Sequence, residues 1–241
     1  MTFISAKGLD HKEVNEKIRA SASQEITLTD VRGERFIASG MSGRKLTIEG
    51  VPGNALAAYL TGADVIVNGN AQDAVGDTMN EGTITIHGNI GDAAGYAMRG
   101  GRIYVRGNAG YRAGIHMKEY KEKKPVIIIG GRCGSFLCEY QAGGIVAVLG
   151  THTDGKPIVG NFPCTGMHGG KLYLRGDISG IDFPANVCVS EMSRQDLEEL
   201  MPYLTEWCRS FGVKKEDILS ESFHKISPSS SNPYKQMYVA N

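Results

Sequence analysis

The stretch ADVIVNGNAQDAVGDTMNEGTITIHGNIGDAAGYAMRGGRIYVRGNAGYRAG, Ala63 to Gly114, states one pattern three times. Each copy has a short alternating apolar run, a glycine, an asparagine and then more glycines. The runs LTIEG, VIVNG, ITIHG and IYVRG close at Gly50, Gly69, Gly88 and Gly107, at a constant interval of 19 residues. VIIIG at Gly130, VAVLG at Gly150 and LYLRG at Gly176 continue the series at intervals of 23, 20 and 26. Unequal intervals place insertions in loops, as in other repeat architectures.

Within each run Leu46/Ile48, Val65/Val67, Ile84/Ile86 and Ile103/Val105 alternate with Thr47/Glu49, Ile66/Asn68, Thr85/His87 and Tyr104/Arg106. Period two is strand patterning, with the first set facing a core. Nineteen residues leave no room for the helix of a βαβ crossover, so equivalent strands must stack directly. The repeat therefore predicts an all-β fold: a right-handed parallel β-helix, a single-stranded β-solenoid of about seven rungs of 19–26 residues. Short helical extensions are expected at both ends. Asn70, Asn89 and Asn108 follow the strand glycines, forming a column in which stacked amides can hydrogen-bond. Gly50, Gly69, Gly76, Gly88, Gly95, Gly107, Gly114, Gly130, Gly150 and Gly176 are read as structural turn glycines that supply positive φ or close approach. A dinucleotide fingerprint needs a helix opening on its glycines, and here the next strand arrives too soon. Calcium-binding nonapeptides and leucine-rich repeats fail on the absent aspartate period and the absent leucines.

The other bounds are few. Twenty-six acidic and 26 basic residues balance among 241, which gives no electrostatic case for nucleic acid or an anionic membrane. No apolar run approaches a membrane span, and MTFISAKGLDHKE turns charged before a signal-peptide core can form. A cytoplasmic location is expected. Five scattered cysteines argue against a disulfide framework.

Three regions are expected: an N-terminal helix and capping strand (1–41), the repeat (42–190), and an amphipathic helix with an extended tail (191–241). Asp10 with Glu13 reads as a helix N-cap, and EITLTDVRG as a lead-in strand over the first rung. Leu197, Leu200, Met201, Leu204, Trp207, Cys208 and Phe211 recur at helical spacing behind Ser193 as N-cap. That helix is expected to cover the last rung or to dock on a partner. The tail KISPSSSNPYKQMYVAN reads as extended or lying along a surface.

The search for chemistry finds no constellation, so catalytic, cofactor-binding and metal residues are all expected to be none. His87 continues an outward polar column; His116, His152 and His168 sit in turns and loops without metal-ligand spacing. Cys138 reads as a core residue and Cys133, in a turn, as the better candidate for a reactive thiol. Ile66 and Tyr104 form a modest outward apolar strip that could be an interface or lie under residues 1–30.

With CEYQAGGIVAVLG (138–150) and VGNFPCTGMHGGKLYLRG (159–176), the glycine repeat resembles the C-terminal GXGXG β-helix domain of the glutamate synthase large subunit. GADVIVNGNAQDAVGD (62–77) is similar to the family's preceding repeats, and the resemblance covers roughly residues 25–190. It implies a non-catalytic scaffold, here as a stand-alone subunit of a split enzyme for glutamate biosynthesis and ammonia assimilation. Such a subunit holds a class-II glutamine amidotransferase subunit and an FMN-dependent glutamate synthase subunit in register for ammonia transfer. FMN and an iron–sulfur cluster are expected on the partner, none on this chain, and a homo-oligomer is open. The charged insertion KEYKEKK (118–124) and THTDGKP (151–157) depart from the family pattern. The alternatives are a β-helix subunit of formylmethanofuran dehydrogenase or of an N-methylglutamate synthase, and an independent hydrolase, which would need a nucleophile with a base in reach.

Overall fold

A computed structural model describes residues 1–229; the stretch of the expected tail from 230 to 241 lies outside the described residues. The elements are β1 (Thr2–Ser5), α1 (His11–Ala20), β2 (Glu25–Arg32), β3 (Lys45–Val51), β4 (Thr61–Asn68), β5 (Glu81–Ile86), β6 (Arg102–Val105), β7 (Val126–Ile129), β8 (Ala142–Val148), β9 (Gly169–Arg175), β10 (Val187–Glu191), α2 (Arg194–Phe211), α3 (Lys215–Leu219) and β11 (Phe223–Pro228).

The β-branched runs do become strands, and the 19-residue interval becomes their register. Leu46 pairs with Val65, Val65 with Ile84 and Ile84 with Ile103, all parallel. The inward residues Leu46, Ile48, Val65, Val67, Ile84, Ile86, Ile103 and Val105 are fully buried. Removing each such side chain from water contributes about 1.5–3 kcal/mol.

The fold class nevertheless departs from the expectation. The strands form one eleven-stranded mixed sheet in the order β1-β2-β3-β4-β5-β6-β7-β8-β9-β11-β10, not a right-handed parallel β-helix of about seven rungs. β11 enters antiparallel to β9, and β10 antiparallel to β11. The physical reason lies in the residues between the strands. Ala55, Ala57 and Tyr59 all have φ between +56° and +60°, as have Ala74, Ala93 and Arg112 at the equivalent positions, within a few degrees. A backbone that alternates into the left-handed region cannot continue as strand. Each repeat thus returns through turns, and beyond the sheet only single bridges remain, from Ala71 through Ile90, Ala109 and Cys133 to Val159. Helices flank the repeat, α1 before it and α2 and α3 after it, and each buries residues in a core of the sheet.

α1 starts as read, with Asp10 and Glu13 forming a reciprocal capping box, and buries Val14 and Ile18. α2 also starts as read, on Ser193, and ends on Gly212 in the left-handed conformation. Its position was not foreseen. It does not cover the end of the repeat; it lies across the outward face of the sheet. Leu200, Leu204, Trp207 and Phe211 there form a second core with Tyr104, Ile128, Ala147 and Tyr173. Tyr104 of the expected outward strip is therefore under α2 rather than under residues 1–30. Ile178, Ile181, Phe183 and Val187 pack against the main core instead, and the start of the expected tail, residues 225–228, belongs to strand β11 within the sheet.

A polar border pins α2. Lys171 bonds Asp196 and Glu199 at 3.1 and 2.6 Å, and Lys225 bonds Asp196 at 2.8 Å. Burial alone would raise the Asp196 carboxyl, but donors on Lys225, Ser193 and Lys171 together hold it well below the usual carboxylate range. A depressed folded-state value contributes stability that is complete at neutral pH and is lost as pH falls below about 4 towards that value. Asp196→Asn is accordingly expected to lower stability at neutral pH and to flatten the acid loss. Urea midpoints measured across the acid range check both.

Among the described residues, no helix is long and apolar enough to cross a membrane.

Candidate interaction surface

The strand glycines Gly50, Gly69, Gly88, Gly107 and Gly130 sit where the chain must touch the preceding repeat. A Cβ on Gly107 would lie 2.2 Å from Asn89 Oδ1 and 2.7 Å from Gly88 O, distances no side chain tolerates. The pairing explains the Gly-Asn dipeptide. Asn70 Oδ1 accepts from Asn89 N–H at 2.8 Å, Asn89 Oδ1 from Asn108 N–H at 2.7 Å, and Asn108 Oδ1 from Arg132 N–H at 2.8 Å. The ladder thus runs from side chain to backbone rather than from amide to amide. Gly50, Gly69, Gly88, Gly107, Gly130, Gly150 and Gly176 all end or follow a strand, whereas Gly76, Gly95 and Gly114 share a column on the turn wall with φ near +70°. At Gly95 a Cβ would meet Ile127 Cδ1 at 2.4 Å.

A second ladder escaped the sequence reading. Asp73 Oδ1 accepts from Asp92 N–H at 2.9 Å and Asp92 Oδ1 from Tyr111 N–H at 2.8 Å, with Asn54 below on Asp73 N–H at 3.3 Å. The signal was present: Asn54, Asp73 and Asp92 keep the same 19-residue interval as the asparagines.

The inward column that holds Gly76, Gly95 and Gly114 continues as Cys138 and Cys164, both with φ near +60° and both fully buried. Cys133 lies in the bridge column, also fully buried. Burial pushes its thiol up to about 12, against backbone hydrogen bonds that pull the other way. The reactive-thiol reading of Cys133 is therefore corrected: thiolate, the reactive form, is scarce and shielded. Only Cys188 is exposed among the five. A short treatment of native protein with iodoacetamide at neutral pH is expected to give one adduct, on Cys188. Labelling of Cys133 at a similar rate, read by peptide mass spectrometry, would contradict the burial.

The histidines are engaged structurally. His87 meets the Phe211 ring edge-on at 5.2 Å, with its pKa lowered by burial and by Arg106. His116 stacks on Tyr140 at 5.3 Å and meets Tyr96 edge-on at 5.8 Å. His152 Nδ1 lies 2.9 Å from Thr151 Oγ1, and His168 Nδ1 lies 3.0 Å from Gly166 O. Among the described residues no three His, Cys, Asp or Glu side chains converge as metal ligands would.

What the turn wall does present is aromatic surface. Positions held by Ala55, Ala74 and Ala93 in early repeats become Arg112, Phe136 and Phe162 in later ones. Arg112 lies 4.8 Å over the Phe136 ring and pairs with Glu139 at 3.0 Å. Phe136 and Phe162 rings lie 5.4 Å apart. Phe162 is 62% exposed and Tyr111 52%. Exposed aromatic and arginine side chains grouped on a rigid wall are the residue types that anchor protein interfaces. The expected charged loop 118–124 is tied down, with Lys123 on Glu81 and Lys124 on Glu199, so it braces α2 rather than standing free.

Fold and surface together define a repeat-built sheet protein. The chain belongs to the GXGXG motif family, whose pattern it matches over residues 5–230; this is the domain found at the C-terminus of the glutamate synthase large subunit. An uncharacterized protein of Methanocaldococcus jannaschii is 42% identical over 98% of this chain and 95% of its own length. Among solved structures, a chain of the formyltransferase/hydrolase complex FhcABCD from Methylorubrum extorquens, determined with methylofuran, is similar in fold. The TM-score is 0.64 at 20% identity, over 93% of this chain and 91% of that one.

Proposed function

We propose that the chain is a non-catalytic structural subunit of a split glutamate synthase-type complex. It holds a class-II glutamine amidotransferase subunit and an FMN-dependent synthase subunit in register, with FMN and an iron–sulfur cluster on the latter. The observation that carries this reading is the GXGXG match over residues 5–230. Supporting it, Cys133, Cys138 and Cys164 are buried in the core rather than offered to a substrate. The aromatic turn wall is the surface assigned to another subunit, because α2 already covers the sheet's outward face over β6 to β9.

A second reading, a structural subunit of a formyl-transferring assembly, is favoured by the fold likeness to a chain of the formyltransferase/hydrolase complex. Reconstitution separates the two. Adding the chain to purified amidotransferase and synthase subunits from the same cell is expected to raise glutamine-dependent glutamate formation several-fold over the two alone. Unchanged coupling would overturn the first reading.

A further inference from the structure

Among the described residues β10 is a terminal strand of the sheet, paired on one side only, with β11. In an antiparallel ladder, residues whose N–H and C=O face the partner alternate with residues that face away. Two bonds set the phase here: Ser229 N–H donates to Asn186 O at 2.9 Å, and Met192 N–H donates to Phe223 O at 3.0 Å. In the same register Cys188 faces Ser227 and Ser190 faces Lys225. Cys188 and Ser190 therefore spend their backbone groups on β11, and Val187, Val189 and Glu191 aim theirs at the free edge. Pro228, which has no N–H, sits opposite Val187, where none is required. The Val187 N–H is taken by Pro184 O at 3.2 Å. Among the described residues, what remains outward is the Val187 C=O and both groups of Val189 and Glu191.

The outward residues Val187 and Glu191 flank Val189 evenly. We infer that β10 is the interface for a second copy of this chain, pairing antiparallel with its own equivalent about a twofold axis through Val189. In that arrangement Val189 N–H and C=O exchange with their counterparts. Each Glu191 N–H reaches the other copy's Val187 C=O, the one group left to accept it. Because Pro184 O holds the Val187 N–H, each Glu191–Val187 pair makes one bond rather than two and leaves the Glu191 C=O to solvent. Glu191 faces Val187 rather than a second glutamate, so no like charges meet across the pair. Val189, 44% exposed in one chain, packs on itself. Beyond the Glu191 charge the edge carries neither lysine nor proline nor a bulge in Val187–Glu191, and a twofold contact closes it rather than propagating a fibre. A strand pair is a small interface, so the dimer is expected to dissociate on dilution, with a dissociation constant in roughly the micromolar range.

Sedimentation velocity of the full chain over roughly a hundredfold dilution is expected to show a monomer–dimer equilibrium. Val189→Pro removes an N–H that β11 does not use, so it should leave the thermal midpoint unchanged and abolish the dimer. Ser190→Cys supplies the register test. Residue 190 lies opposite the other copy's Cys188 at a non-hydrogen-bonded pair, where the Cα separation is about 4.5 Å and within disulfide range. With oxidised glutathione as electron acceptor, that variant should run as a covalent dimer on a non-reducing gel, while the native chain should not. A native chain that stays monomeric throughout, a Val189→Pro variant that still dimerises, growth into larger oligomers, or a Ser190→Cys dimer that fails to cross-link would each overturn the proposal.

Discussion

Trp207→Ala is expected to be the most damaging single substitution outside the repeat, lowering stability by about 3–5 kcal/mol. Trp207 is fully buried between α2 and the sheet, edge-on to Phe211 at 5.1 Å. Its Nε1–H donates to Val105 O at 2.9 Å, so truncation opens a cavity and removes one of that carbonyl's two donors, the Gly130 N–H at 2.8 Å being the other. Trp207→Phe keeps most of the ring's packing and loses the hydrogen bond, so its cost should be smaller, about 1–2 kcal/mol. Because Trp207 is the chain's single tryptophan, native fluorescence reports α2 directly. Its emission should be blue-shifted in the native state and move red in the same denaturant transition that far-ultraviolet circular dichroism records. A loss under about 0.5 kcal/mol for the alanine variant, within the range of an ordinary surface substitution, or a fluorescence transition well before the main one, would mean that α2 is not integral to the core.

Gly107→Ala should cost about 3 kcal/mol, more than overpacking at a yielding site, because neither neighbour can give way. One is the Asn89 carboxamide oxygen held by Asn108 N–H; the other is the Gly88 carbonyl. The new methyl must break the ladder or push adjacent repeats apart. For a chain of this size that is a fall in melting temperature of roughly 6–12 °C. A double-mutant cycle isolates the cause. Asn89→Ala alone loses one hydrogen bond, about 1 kcal/mol, and removes the nearer of the two clashes while the Gly88 carbonyl stays, so Gly107→Ala should cost less in that background. Strict additivity would show that the clash is not with the Asn89 side chain.

The features of the fold that could be read from sequence are those that a local rule controls. Period-two alternation in LTIEG, VIVNG and ITIHG determines the inward residues, and the 19-residue interval determines their register. Asp10 with Glu13 and Ser193 before an apolar helical spacing determine where α1 and α2 begin. What escaped depends on distant contacts or on backbone states that residue type conceals. Alanines at 55, 57, 74 and 93 adopt the left-handed region that glycine usually marks, held there by hydrogen bonds to adjacent repeats such as Ala74 N–H to Asp92 O. Their conformation confines the strands to one sheet where a parallel β-helix was expected. α2 showed its apolar face but not its destination, which the fully buried, outward Tyr104, Ile128 and Tyr173 supply. β11 escaped because the chain from Lys225 onward reads as a polar, proline-broken tail, although Phe223 and Ile226 are buried residues within the strand. Of the surface, the asparagine column was legible and the aspartate column was overlooked at the same interval. The Arg112–Phe136–Phe162 wall was hidden because insertions stretch its spacing to 24 and 26.

The most direct test of the scaffold reading is affinity purification of the tagged chain from its native cell, followed by mass spectrometry and a visible absorbance scan. The account predicts recovery of a class-II amidotransferase chain together with a yellow, FMN-bearing synthase chain. Recovery of the chain colourless and without either would contradict it.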